Sequence, residues 1–347
     1  MADPVPAARI LREVCAAETR EVALDEHDRP IAVRLSRLTE ERPLHLGQRV
    51  TGRLRTIALP QGGGYVELDD HAGEAFLRLQ EGHGLTEGQS LEMRVVAEPR
   101  EGNKLARVAL ADKAPEGLAT APWGSVTVEL VEPGNHLVAH AFDIVIAPTV
   151  QLPGGGFLTL ERTRALSAAD IDTAGRTDSG RAANRALKAN LDAAAELARQ
   201  VRLRNLGGLV VLDCVSPVNR DAGKQVRDMF LSAFRQVSGQ QVRALLPSEF
   251  GLMEASVEWA ETPMAERLLG HSGDKDARAV CFDGVRLLEQ EARAKRMDRL
   301  CLDLPADAHA WLEWSGAPLK RALAGTYGDR FTYDSTNPKS PIVFTVP

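Results

Sequence analysis

Between residues 46 and 111, apolar and polar side chains alternate in five short runs: QRVTGRLRTI, GYVELDD, EAFLRL, SLEMRVVAEP and KLARVAL. A period of two puts successive side chains on opposite faces of a strand. The breaks between the runs, QGGG, HAG, EGHGLTEG and REGN, carry the glycines that tight turns use. Five such strands in so short a span predict a small OB-fold barrel. Ahead of it, the run around REVALDEHD and the run IAVRLSRL read as strands joined by the polar DEHDRP turn. Behind it, DKAPEGLATAP (112–122) reads as a linker, and WGSVTVEL and HLVAHAFDIVI read as two more strands.

The pattern changes after residue 150. LPGGGFLTLE and ALSAADI predict neighbouring strands. Leu187, Leu191, Ala194, Ala198 and Val201 then recur at three- and four-residue intervals, which predicts a long helix. Asp178 or Ser179 stands ready as its N-cap, and Gly207 and Gly208 as its stop. GGLVVLDCV predicts a buried strand. Strand, helix and strand make a βαβ unit with parallel strands, so the two C-terminal ends share one edge of the sheet. That topology draws Asp170 and Asp213 together. QVRALLPSEFGLMEASVEW supplies another strand and turn; a helix at about 280–295, the strand CLDLP and a last α/β stretch follow. The expected fold is α+β and multidomain. Its parts are N-terminal strands over 1–45 that pair with 120–150, the barrel over 46–111 and a linker with strands over 112–150. An α/β domain over 151–262 and a small α/β domain over 263–347 complete it.

Composition narrows the class. Hydrophobic residues make 44% and charged residues 26% of the 347, enough apolar content for a sizeable core in two or three domains. The N-terminal MADPVPAARILREV lacks the basic-then-apolar order of a signal peptide. No run approaches the roughly 20 apolar residues of a membrane helix. Cysteines at 15, 214, 281 and 301 form no CxxC, which predicts a reducing, cytoplasmic setting without a zinc ribbon. The net charge of −6 gives no global signal for nucleic acid, but binding follows the local placement of charge.

The chemistry concentrates in LSAADIDTAG (166–175), where Asp170 and Asp172 flank one isoleucine at a strand end. Carboxylates at the mouth of a parallel sheet suit Mg²⁺, a hard ion held by one or two carboxylates together with substrate phosphate. Asp170 and Asp213 are the candidate ligands. Asp172 shares a strand face with Asp170 and either orients it or joins the metal. An Asp at a strand end serves equally well in an Asx-turn or as a helix cap, and both readings stand at this point.

PTVQLPGGGFLTLERTRALSAADIDTAG, NLDAAAELARQVRLRNLGGLVVLD and FGLMEAS together resemble the catalytic core of the ribonuclease E/G family. The resemblance is sharpest in ARQVRLRNLGGLVVLD and extends more weakly over most of the chain. It implies a DNase I-like catalytic domain at 151–262 and a reduced RNase H-like remnant at the N-terminus. It also implies metal ligands at Asp170 and Asp213, with Asp172 standing where the family has an asparagine. Under it, a metal-activated water cleaves RNA to leave a 5′-phosphate and a 3′-hydroxyl. The chain departs from the pattern at Asp172, at Ser216 in CVSP, and at Val257 and Trp259, which replace arginines. The zinc link that joins family subunits is missing; LLGHSGDKDARAV stands in that region. The chain between the barrel and LPGGG is short, so the 5′-monophosphate pocket is not expected.

By the same resemblance, Tyr65, Phe76 and Lys104 stand where the family's barrel meets RNA. Stacking on aromatic faces suits single strands of any sequence; the alternative is that both rings are barrel core. The long helix carries Arg181, Arg185, Lys188, Arg199, Arg202 and Arg204, of which Arg202 and Arg204 are candidate phosphate contacts. Such charge runs also occur as solvated faces. The expectation is a Mg²⁺-dependent (or Mn²⁺-dependent) cytoplasmic endoribonuclease for single-stranded RNA, without zinc or a membrane, as a monomer or homodimer. The alternative is an RNA-binding relative that has lost catalysis and acts as a regulator or scaffold.

Overall fold

The structure, a computed structural model, describes residues 7–38, 44–69, 73–102, 104–113, 123 and 126–346. In chain order come β1 (Arg9–Val14), β2 (Glu18–Leu24), β3 (Pro30–Arg37), β4 (Arg49–Ala58), β5 (Gly63–Leu68), β6 (Glu74–Arg78), β7 (Ser90–Ala97) and β8 (Ala106–Leu110). Next are β9 (Val128–Val131), α1 (His136–Ile146), β10 (Thr149–Gln151), β11 (Phe157–Arg162), β12 (Leu166–Asp172), α2 (Ala182–Leu203), β13 (Gly208–Asp213), α3 (Arg220–Val237), β14 (Val242–Ala244) and β15 (Leu252–Val257). The last are α4 (Met264–Leu268), α5 (Ala277–Ala294), β16 (Arg299–Asp303), α6 (Ala306–Ser315), α7 (Ala317–Tyr327), β17 (Phe331–Asp334) and β18 (Ile342–Val346).

Two compact units divide the chain. The first takes 1–7, 42–125 and 147–263, and the second takes 8–41, 126–146 and 264–347. In the first unit, β4-β5-β6-β8-β7 close into a barrel filled by Leu54, Val66, Leu77, Met93, Val95 and Val108. The same unit holds a six-stranded sheet in the order β10-β11-β12-β13-β15-β14. Only β12 and β13 run parallel in it; the other neighbours are antiparallel. Along β11, β12, β13 and β15, alternate residues (Leu158, Leu160, Ala169, Ile171, Val210, Leu212, Met253, Ala255, Val257) are buried. They meet Ala194, Leu197, Ala198 and Val201 of α2 and Val226, Phe230 and Phe234 of α3 in one core. The intervening residues point to the other face of the sheet.

In the second unit, β3-β2-β1-β9 form a sheet in which β1 and β9 are parallel, and β17-β16-β18 form another. Glu18 lies wholly buried between Arg20 at 2.6 Å, Arg37 at 3.1 Å and Arg286. Burial alone would raise its carboxyl, but the three guanidiniums outweigh that and hold it below the usual carboxylate range.

Several expectations are corrected. HLVAHAFDIVI is helix α1, not a strand. Its buried Val138, Ala141, Phe142 and Val145 follow helical spacing, and Asn135 Oδ1 accepts from Leu137 N and Val138 N to start it. RILREV is a strand (β1) that the alternation pattern did not single out. QVRALLPSEFGLMEASVEW gives two strands, β14 and β15. Helix α2 begins after Arg181 with no side-chain cap, because Asp178 is taken by ion pairs to Arg176 and Lys188. The helix ends before the glycines, where Asn205 takes the left-handed φ of 56°. Helix α3 has no counterpart among the expected elements. Most of the expected linker at 112–122 lies outside the described residues.

Candidate carboxylate site and barrel face

The parallel register of β12 on β13 ends at Ala169 opposite Leu212. One residue further, Asp170 and Asp213 stand side by side on strands about 4.8 Å apart. Both belong to the face away from α2 and α3, and both are exposed. Neither carboxylate has a hydrogen bond or ion pair among the described residues. Thr159 lies directly across from Asp170 on β11, with its hydroxyl 3.2 Å from that of Thr149. Glu254 of β15 pairs with Val211, two residues before Asp213 and on the same face.

Asp172 does something different. Its Oδ1 accepts from Ala174 N at 2.8 Å, closing an Asx-turn as β12 leaves the sheet. The two readings of the acidic pair therefore separate. Asp172 serves the turn; Asp170 is left open beside Asp213.

Buried polar side chains fix this edge. Asn190, 1% exposed on α2, donates from Nδ2 to Val215 O at 3.0 Å and accepts at Oδ1 from Val215 N at 2.8 Å. The amide thus completes the backbone bonding of the segment that follows Asp213. Asn190 was not among the sequence candidates. Its signal was a polar residue on the apolar stripe, three residues after Leu187 and four before Ala194. Arg176 bonds Gly155 O at 3.0 Å, Asp178 at 2.7 Å and Asp192 at 2.7 Å. It thereby ties the LPGGG loop to the Asx-turn loop and to α2. Gly156 has φ of 77°, and a Cβ there would lie 2.3 Å from Asp172 O. Only glycine lets the loop lie against the strand end.

The donor set fits a hard divalent cation: two free, exposed carboxylates on adjacent strands, with open space for water. Among the described residues no group of three or more His, Cys, Asp or Glu side chains gathers to hold a metal. A cation there would keep most of its waters. The cysteines are all buried and free, and burial pushes the Cys214 thiol up to about 11 and the Cys281 thiol up to about 12.

On the barrel, Tyr65 of β5 and Phe76 of β6 are cross-strand partners, with ring centroids 5.6 Å apart at 75°. Both are half-buried and stand outside the barrel core, whose positions are Val66, Ala75 and Leu77. Tyr65 donates its hydroxyl hydrogen to Gln61 Oε1 at 2.5 Å. Arg107 is the neighbour of Phe76 on β8. Lys104 is exposed and lines a cleft of about 380 Å³ with Arg100, Glu74 and Pro99.

Arg202 and Arg204 stand elsewhere. Arg202 is 4% exposed and pairs with Glu261 at 2.7 Å. Arg204 is 8% exposed and donates to Gln200 Oε1 at 2.7 Å, and burial lowers its guanidinium to about 10. Helix α2 starts at the carboxylate edge and runs 22 residues, about 33 Å, to the opposite edge. Both arginines are therefore interior side chains at the far edge, which corrects their reading as phosphate contacts. The departures at Val257 and Trp259 also become packing. Val257 lies in the sheet core. Trp259 covers Gly207 and Gly208, where a Cβ would lie 2.8 Å and 3.0 Å from its ring, and carries the Arg100 guanidinium 3.6 Å from the ring centroid. Ser216 is exposed in the loop after β13.

Residues 133–258, from before α1 to the end of β15, match the model of the Ribonuclease E/G family. The chain is 32% identical over 174 residues to Ribonuclease E of Haemophilus influenzae, covering 47% of this chain and 18% of that protein. It is 31% identical over 170 residues to Ribonuclease E of Escherichia coli, covering 47% and 16%. Against Ribonuclease G of Salmonella typhimurium it is 29% identical over 171 residues, covering 46% and 34%. The chain thus spans between about a sixth and a third of these relatives' lengths. A multidomain protein with nucleic acid binding domains from Streptococcus pneumoniae matches 29% of this chain at 20% identity, with a TM-score of 0.17, too low to define a shared fold. The matched segment contains both open aspartates, the Asx-turn and the helix that carries Asn190. No helix among the described residues is long and apolar enough to cross a membrane.

Proposed function

We propose that the chain is a divalent-metal-dependent endoribonuclease that cuts single-stranded RNA, leaving a 5′-phosphate and a 3′-hydroxyl. One observation carries this reading: Asp170 and Asp213, in the segment that matches the Ribonuclease E/G family, adjoin on two parallel strands with no side-chain partner for either among the described residues. Asp170 and Asp213 would hold a magnesium ion, with manganese as its substitute. Bound there, the ion would supply charge neutralisation at the phosphodiester and a more acidic water. The protein's own part is positional. Asn190 fixes the segment after Asp213, while Arg176 and the Asx-turn of Asp172 fix the loops at the end of β12. In this reading the sheet and its two helices are a DNase I-like catalytic layer, and the barrel is an OB-fold that grips RNA. The strand order β4-β5-β6-β8-β7 and the outward Tyr65–Phe76 pair support that role for the barrel.

The test is cleavage of an end-labelled single-stranded RNA with Mg²⁺, with EDTA, and by Asp170→Asn and Asp213→Asn. The expected result is cleavage abolished by EDTA and lowered at least about 100-fold in each variant. Undiminished cleavage by Asp213→Asn would remove the site. Tight RNA binding without metal-dependent cleavage would leave an RNA-binding scaffold in place of the enzyme.

A further inference from the structure

Two phenyl rings stand in solvent on either side of the carboxylate pair. Phe157 opens β11 directly opposite Asp172, on the face that carries Asp170 and Asp213, and is 41% exposed. Phe250 lies beyond the start of β15, in the turn that reaches the end of β13, and is 89% exposed. The turn is not a loose loop. Gly251 N donates to Ser248 O at 2.9 Å, Ser248 N donates to Leu252 O at 3.0 Å, and Cys214 N donates to Gly251 O at 3.1 Å. The last bond fastens the turn to the residue that follows Asp213. Pro247 rests on α3 where Gly223 leaves room; a Cβ there would be 3.0 Å from the proline ring. A rigid turn that spends a phenyl ring on solvent gains nothing for folding.

Cations gather at this edge, with the carboxylates of Asp221 and Glu249 also exposed there. Helices α2 and α3 both begin at this edge. Arg181, Arg185, Arg220 and Lys224 on their first turns are exposed. None of the four has a carboxylate partner among the described residues. Carboxylates for a cation, cations for a polyanion and two unsatisfied aromatic faces together match a strand of phosphates bearing planar bases.

We propose that Phe157 and Phe250 are base-stacking platforms on the two sides of the phosphodiester held at Asp170 and Asp213. This rests on the ribonuclease reading above. Phe157 stands on β11 and Phe250 in the turn that leads into β15, and the three intervals from β11 through β12 and β13 to β15 span about 14 Å. A backbone can therefore pass between them over the aspartates while one base turns to each ring. Stacking is blind to base identity, so these residues select single-stranded over paired substrate rather than one sequence over another.

The experiment uses the full chain carrying Asp213→Asn, so that RNA is bound without being cut. Affinity is read by fluorescence anisotropy for a labelled oligoadenylate and for the same oligomer with abasic riboses at the central positions. Phe157→Ala and Phe250→Ala should each weaken oligoadenylate binding by roughly 5- to 150-fold and leave abasic binding unchanged. Phe250→Trp should keep the affinity and show an RNA-dependent quench of the new indole. Equal affinity of parent and alanine variants for oligoadenylate would overturn the proposal while RNA binding stands. So would an equal loss on both oligomers, or a monomer–dimer shift in the variants as the sole change. Failure of the Asp213→Asn parent itself to bind RNA would instead bring down the ribonuclease reading, and this proposal with it.

Discussion

At the scale of single residues, the site depends on side chains whose work is done in the backbone around them. Asp172 reads in the sequence as a twin of Asp170, and only the hydrogen bond from Ala174 N separates the two. The spacing was legible; the division of labour was not, because an Asx-turn and a ligand position have the same pattern. Asn190 was legible in principle as a polar residue on an apolar stripe. Replacing Asn190 by Leu leaves Val215 N and O unpaired, and should cost about 1–3 kcal/mol by chemical denaturation while lowering cleavage. Gly156→Ala meets two obstacles at once, a φ of 77° and Asp172 O at 2.3 Å. It should destabilise by about 1–3 kcal/mol, and a melting temperature equal to the parent's would show that the loop does not press on the strand end.

At the scale of elements, the period of the apolar positions found the barrel strands, β11, β12, α2 and β13, since each has one buried face. It failed at α1, where apolar residues surround most of the helix, and at α3, whose Ala222, Val226, Phe230 and Phe234 stripe is set among charges. Periodicity also gives no depth to a basic helix end. Arg202 and Arg204 look like a solvated or phosphate-binding pair in the sequence, yet Arg202 is locked to Glu261 inside the fold. Arg202→Ala should therefore cost about 3–5 kcal/mol, because it breaks a buried ion pair. It should leave the salt dependence of RNA binding unchanged, since a phosphate contact would remove about one unit of slope. Tyr65→Ala and Phe76→Ala should do the reverse, weakening RNA binding by about 1–3 kcal/mol per stacked base with little loss of fold. Unchanged affinity in both would make the ring pair barrel structure alone.

At the scale of the whole molecule, acid should act first on the second unit. Its segments, remote in sequence, are joined by buried ion pairs that no local pattern could announce. Asp283 on α5 illustrates the sign. Burial would raise its carboxyl, but Arg20, Lys275 and Arg286 bring it down to about 2. A folded-state pKa below the unfolded one means that the stabilisation is complete above about pH 5 and is lost as pH falls through 4 towards 2. Asp283 alone contributes about 2 kcal/mol over that window, and Glu18, also held low, adds in the same direction. Hydrogen exchange between pH 7 and pH 3 should show protection falling earlier in β2 and α5 than in α2 and β13. Glu18→Gln should remove part of that pH dependence and cost stability already at neutral pH, since three guanidiniums then lose a shared partner. An equal loss of protection in all four elements on acidification would place the acid-sensitive step outside this network.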